Sequence, residues 1–362
     1  MSGAMDHAGR VAKVGARLAE SEVQALLVTN LTNVQYLTGF TGSNGQVLVT
    51  PEEAIFFSDT RYEARAGTLV RNAEIVIYPI NLWDVLPDRL ASLSIRRLGV
   101  EATDMTLAAR DDLSEHLPGV ASVPTKKVVE EIRRAKEPAE IELLETAIHI
   151  ADDAFEWILD KLVPGATEKQ IALELEVRMR SRGADAISFD PIVGSGPLSA
   201  HIHHTPSDRE IEKGDIVLLD FGCKVQGYCS DMTRTVVVGP AADEHKEMYQ
   251  VVLESHLKGI EAAMVGRPCR EVDAAARDVI EATGRGKEFG HGLGHGVGLD
   301  IHEEPRMNRE STDALIESDV VTIEPGMYVV GSGGVRIEDC VVVERGGPRV
   351  LTTARKGELI EL

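Results

Sequence analysis

Two rhythms of apolar residues divide this chain. Up to about residue 125, short apolar runs at 25–29, 46–50, 54–58 and 74–78 alternate with turn-forming residues. Runs of that length bounded by turns read as strands, and three- to four-residue spacing at 9–20 and 60–71 reads as helix. The first part is therefore expected to be a mixed α/β domain. At Pro138 the spacing turns helical. Ile141, Leu144, Ile148, Ala151, Phe155, Ile158 and Leu162 recur on one face until Pro164 and Gly165 stop the helix. Thr167 and Gln170 form a capping box that starts a second helix, ending near Gly183. The same order returns with a helix over 243–265, a turn at Pro268 and a helix over 270–283. A boundary within 125–137 thus separates a domain over 1–130 from one over 131–362.

After each helix pair comes a strand-like run that ends in an acid. Asp220 ends Ile216, Val217, Leu218 and Leu219; Glu324 ends Val320, Val321, Thr322 and Ile323. Pro164 and Pro268 are as far apart as Asp220 and Glu324, 104 residues. Direct identity between the halves is slight, so the repeat is one of architecture. Each acid has a second acid a short hairpin away, Asp231 and Glu338. If the first hairpin turns about Val225 and Gln226, Asp220 and Asp231 sit directly opposite, with Cβ atoms about 5 Å apart. Two carboxylates that close repel by roughly 3 kcal/mol at an effective dielectric near 20. A lone strand-end acid normally faces water. Two such pairs call for protonation or a cation between them.

His295 supplies a fifth donor. It lies in the glycine-rich stretch 290–298, where His291 is an even number of residues away and would share its face in an extended strand. Hard oxygen ligands with one imidazole suit Mn, Co or Fe, or Zn in a mixed site. Two facing halves would bring Asp220, Asp231, His295, Glu324 and Glu338 into one binuclear centre, where paired ions can hold a hydroxide and polarise a carbonyl. Arg336 shares the strand face of Glu338; it could hold that acid, bind a substrate carboxylate or carbonyl, or form an ordinary ion pair. His201, His203, His204 and His302 follow loops near these segments and could steady an oxyanion or protonate a leaving nitrogen. His7, His116, His149, His245 and His256 have no such context and read as surface side chains.

Composition narrows the partners. A formal net charge of -21 over 362 residues argues against nucleic acid or anionic membrane, and otherwise means solubility. No apolar run is long enough to span a membrane, and residues 1–10 lack the apolar core of a secretion signal. Cys223, Cys229, Cys269 and Cys340 are too few for a disulfide framework, which fits reduced thiols in a cytoplasm. No zincin helix, P-loop, dinucleotide fingerprint or nucleophile elbow is present.

With those residues in place, the chain resembles the Xaa-Pro aminopeptidases and prolidases of metallopeptidase family M24 along nearly its whole length. The resemblance rests on LLDFG at 218–222, GYCSDMTRT at 227–235, GHGLGHGVG at 290–298 with IHE at 301–303, VTIEPG at 321–326 and VRIED at 335–339. Weaker matches are NVQYLTGF at 33–40 and DTRY at 59–62. It implies an α+β protein with a pseudo-symmetric pita-bread catalytic domain and a smaller creatinase-like N-terminal domain, working as a homodimer on short Xaa-Pro peptides. It also implies two divalent ions, manganese first and Co, Zn or Fe otherwise, held by Asp220, Asp231, His295, Glu324 and Glu338. His203 and His302 map to substrate-binding or proton-shuttling positions, Glu324 to a proton relay, and His291 and Arg336 to the pocket lining. One segment departs from the family: SGPLSAHIHH at 195–204 stands where SGPNSALPHH is usual, which changes Leu198, His201 and Ile202. The rival readings are a C–N hydrolase of the ectoine or creatinase type, a methionine aminopeptidase, and a peptide-binding module without catalysis. The creatinase branch needs no metal, so it does not explain five intact ligand positions.

Overall fold

The computed structural model describes residues 4–362. The chain divides into two compact units, Ala4–Arg133 and Arg134–Leu362. The smaller unit is built on a six-stranded sheet in the order Glu74–Tyr78, Ala54–Asp59, Gln46–Val49, Ala25–Val28, Arg97–Glu101 and Ala121–Thr125. Gln46–Val49 runs antiparallel to both of its neighbours, and the other pairs are parallel. Leu27, Leu48, Ile55, Phe57 and Leu98 form its core, with Leu86, Leu90 and Leu113 from the covering helices. The mixed α/β character is as expected, and the four apolar runs become strands, but Arg97–Glu101 and Ala121–Thr125 are not among the predicted ones.

In the larger unit the two helix pairs appear as expected: Pro138–Ile158 with Glu168–Ser181, and Asp243–Ala262 with Cys269–Ala282. Pro138 occupies the first turn of its helix, where a missing N–H removes no intrahelical bond. Thr167 and Gln170 make the reciprocal capping box. Each pair covers its own apolar core, one centred on Phe155, Leu175, Leu219 and Phe221, the other on Tyr249, Val252, Val321 and Ile323. Below the first pair, Ile360–Glu361, Met232–Val237, Ile216–Phe221 and Ile192–Ser195 form one sheet. Below the second, Glu303–Met307, Gly294–Gly296, Val320–Ile323, Asp339–Glu344 and Gly347–Val350 form another. The sheets meet where the Glu338 N–H donates to the Thr233 carbonyl at 3.1 Å and the Thr235 hydroxyl donates to the Arg336 carbonyl at 2.9 Å.

The hairpin expected to face Asp220 with Asp231 turns one residue later. Gln226 and Gly227 form the two-residue loop, both with left-handed backbone (φ 49° and 88°), as a type I′ turn requires. Val225, β-branched, resists that conformation and stays in the strand. Moving the turn centre by one residue shifts the register by two, so Asp220 faces Thr233. Continued through the pairs Val225–Tyr228 and Lys224–Cys229, this register places Gly222 opposite Asp231. Asp231 is thus a diagonal neighbour of Asp220 on the same face. In the second half Ile323 pairs with Asp339 and Gly326 with Arg336, and that register makes Glu324 and Glu338 direct opposites.

Candidate active site

Of the side chains singled out from the sequence, Asp220, Asp231, His295, Glu324, Glu338, His203, His204, His302, His291 and Arg336 line one cavity of about 520 Å³, and His201 does not. Asp231, His295 and Glu338 form its tightest group, each offering a ligand atom within 4.8 Å of the others. His295 Nε2 lies 3.4 Å from Glu324 Oε1 and 3.6 Å from Asp231 Oδ2. Its Nδ1 is 3.0 Å from the Gly296 carbonyl, an acceptor only, so Nδ1 carries the proton and Nε2 keeps a lone pair toward the acids. The ring sits on a strand that packs against Val320–Ile323 because residue 294 is glycine. A Cβ there would meet the Thr322 carbonyl oxygen at 2.0 Å.

His291 reaches the cavity by another route than strand alternation, because the strand Gly294–Gly296 begins after it. Its Nδ1 donates to the Gly292 carbonyl at 2.8 Å, and its Nε2 accepts from the Tyr328 hydroxyl at 2.9 Å. Both nitrogens are occupied, so neither is free to bind a ligand. Burial, with Arg336 nearby, lowers its pKa to about 3 and keeps the ring neutral. Arg336 does not reach Glu338. Its Nη2 binds Asp220, its Nη1 donates to the Tyr328 hydroxyl at 2.8 Å, and its Nε donates to Thr233 Oγ1 at 3.0 Å. The Thr233 hydroxyl in turn donates to Glu338 Oε2 at 2.7 Å. Arg336 and Thr233 therefore orient one acid from each half.

The electrostatics are those of a site built for positive charge. Burial first, then repulsion from the other acids, pushes Asp231 and Glu338 well above the ordinary carboxylate range. Burial also raises Asp220 against the pull of Arg336, and raises Glu324 to about 7. Burial lowers His295 to about 3, which leaves its Nε2 free to bind a cation. Asp220 Oδ1 is buried without a hydrogen-bond partner. Four carboxylates, one of them with a buried oxygen lacking a partner, and one neutral imidazole fit divalent ions with a preference for hard ligands. At the cavity mouth His203 and His302 are exposed, and the His302 ring meets the His295 ring edge-on at 4.4 Å.

Four contributors escaped the sequence reading. Thr233 and Tyr328 lie within quoted or neighbouring motifs, and strand alternation placed Thr233 on the face of Asp231. Arg306 lines the cavity opposite His295 in the strand register, and its guanidinium has no ion pair or hydrogen bond among the described residues. Arg234, on the reverse face, is 1 % exposed and donates to the Thr233, Glu338 and Ala354 carbonyls and to Asp339 Oδ1 at 2.7 Å. Asp339 also takes His256 at 2.9 Å and Lys356 at 2.7 Å. Burial works to raise the Asp339 carboxyl, but Arg234, His256 and Lys356 hold it well below the carboxylate range. His256 is therefore fully buried, contrary to its expected place on the surface: helix Asp243–Ala262 turns that face onto the sheet. Replacing Arg234 by Met should leave Asp339 short of a partner and lower unfolding stability by about 3–5 kcal/mol, as denaturant titration will measure.

Residues 142–345 match the family described as Metallopeptidase family M24, and residues 10–135 match the Creatinase/Prolidase N-terminal domain. The chain is 44% identical over 340 residues to an uncharacterised peptidase, YqhT, of Bacillus subtilis, covering 94% of this chain and 96% of that one. The solved structure of an Xaa-Pro dipeptidase from Bacillus anthracis superposes with a TM-score of 0.96 at 40% identity, covering 99% and 100% of the two chains. An X-Pro aminopeptidase from Thermotoga maritima superposes with a TM-score of 0.89 at 34% identity, covering 95% and 100%. The α+β, two-domain fold is that of these structures. No helix among the described residues is long and apolar enough to cross a membrane.

Proposed function

The chain belongs to metallopeptidase family M24, and from that premise we propose that it is a two-metal exopeptidase that removes the residue before an N-terminal Xaa-Pro bond. One observation carries this reading: five prospective ligands and two exposed histidines line a single cavity of about 520 Å³. Asp220, Asp231, His295, Glu324 and Glu338 would hold the ions, with Asp231, His295 and Glu338 as the most closely grouped donors. Bound divalent ions supply Lewis-acid polarisation of the scissile carbonyl and a nucleophile at neutral pH.

The remaining work falls to the chain. His203 and His302 donate to the oxygen of the carbonyl as negative charge develops there. Glu324 takes the proton of the nucleophile and returns it to the proline nitrogen as the C–N bond breaks. Arg336 and Thr233 hold Asp220 and Glu338 in place, and the His291 ring walls the pocket. An Xaa-Pro amide has no N–H, so the site needs no acceptor for it.

Arg306 favours dipeptides over longer peptides. Its unpaired guanidinium suits the free carboxylate that follows proline in a dipeptide. Manganese, a homodimer and a cytoplasmic setting belong to the same proposal. The test is hydrolysis of Ala-Pro beside Ala-Pro-Ala with Mn, Co or Zn and a chelator control. Cleavage of Ala-Pro is expected with metal and none with chelator; failure on both peptides with every metal would point to another C–N substrate. Arg306→Ala should raise KM for Ala-Pro by about tenfold or more with a smaller change in kcat. An unchanged KM would remove the argument for dipeptides.

A further inference from the structure

We propose that Glu168 is a positioning residue for His203, clamping both ends of the loop that carries this histidine into the cavity. Glu168 opens the helix Glu168–Ser181 and is 0 % exposed. Its Oε1 accepts from the Ser195 N–H at 2.8 Å and the Ser195 hydroxyl at 2.7 Å. Its Oε2 accepts from the Ser207 N–H at 2.9 Å, the Ser207 hydroxyl at 2.6 Å and His204 Nε2 at 2.8 Å. Ser195 ends the strand Ile192–Ser195, and Ser207 closes the segment that follows. Ile202, His203 and His204, which line the cavity, lie between them.

His203 has no side-chain hydrogen bond of its own among the described residues, so its backbone must set its position. Two features make that dependence strong. Ile202 stands before His203 where the family pattern has proline, so the loop lacks a fixed φ there. His204, the next residue, is tied directly to the Glu168 carboxylate. Ser195 is braced again from outside, since Arg209 Nη1 donates to its hydroxyl at 2.7 Å while pairing with Asp215. A buried carboxylate is costly unless donors surround it, and five donors converge on this one. The arrangement differs from plain helix capping, because every donor comes from the loop's ends or from the residue beside His203.

The inference rests on His203 acting in the proposed reaction, and the test separates the two. Glu168→Gln keeps the shape but turns one acceptor into an NH₂ that opposes a Ser N–H. On the manganese-loaded full chain, kcat for Ala-Pro should fall by about 10²-fold, since a displacement near 1 Å is enough for that. In a His203→Ala background the same substitution should change kcat by less than about threefold. Amide hydrogen exchange over 196–207 should quicken in Glu168→Gln, with the two apolar cores of the larger unit unchanged. An equal loss in both backgrounds, or unchanged exchange in the loop, would overturn the proposal. Full activity of His203→Ala would sink the role of His203, and the catalytic half of the proposal with it, whatever the exchange shows. If Glu168→Gln does not fold, Ser207→Ala removes one donor and should give a smaller loss with the same dependence on His203.

Discussion

Glu338→Gln is expected to lower kcat for Xaa-Pro hydrolysis on the order of 10³-fold or more, while making the metal-free protein more stable. The two effects have one cause. Glu338 is buried beside Glu324, Asp220 and Asp231, and burial and their repulsion push its carboxyl well above the usual range. A glutamine fills the same space and can still accept from the Thr233 hydroxyl. It cannot ionise, in a cluster whose nearby cation, Arg336, is already taken by Asp220. Without metal, that spares the proton Glu338 must take up on folding near neutral pH, a cost of about 1.4 kcal/mol for each pH unit above its ordinary value. With metal, on the proposed reading, the same change would remove one of the five ligands. Activity assays on the loaded protein and thermal melts on the chelated one measure the two halves. A variant that loses activity and also melts lower without metal would show that Glu338 is an ordinary structural acid.

The second large effect is on stability against pH. Glu324 rises to about 7 from an ordinary 4.5, with burial as the main cause. A carboxyl whose folded pKa is raised binds a proton in the folded protein that the unfolded chain has already released. The metal-free protein must therefore lose stability as pH rises from about 4.5 to about 7. Glu324 alone contributes about 3 kcal/mol. Asp231 and Glu338 shift strongly in the same direction and extend the loss to higher pH, and Asp220 shifts the same way. For a unit of this size the Glu324 share corresponds to roughly 6–12 °C in Tm. Divalent ions bind the deprotonated form, so loading should remove or reverse the trend. Melts at pH 5 and pH 8, with manganese and with chelator, decide it. A chelated protein that melts higher at pH 8 would contradict a cluster of buried, mutually repelling acids.

Much of this site was legible in the primary structure because strands and helices convert spacing into faces. Acids at the ends of apolar runs, Arg336 two residues before Glu338, and a helix pair repeated before each acid gathered the four acids and Arg336, while the family resemblance singled out His203 and His302 among the histidines. The exact pairing was not legible. A one-residue difference in a two-residue turn is invisible to apolar periodicity, yet Gln226 and Gly227 in place of Val225 and Gln226 exchanged Asp231 for Thr233 opposite Asp220. Parity saved the outcome, since a register shift of two keeps every side chain on its face.

What the sequence determined by itself was the list of side chains and the face each one occupies, because those follow from local periodicity. What only tertiary structure decided was which groups satisfy one another across the halves. Arg336 binds Asp220 and not its strand neighbour Glu338; His256 is buried against Asp339; Arg306 stands free; Glu168 gathers Ser195, His204 and Ser207. Each of these partnerships joins residues distant along the chain, or depends on which face a helix turns inward. Hydrogen bonds and ion pairs are fixed by distances of a few tenths of an ångström, and no spacing rule reaches that scale.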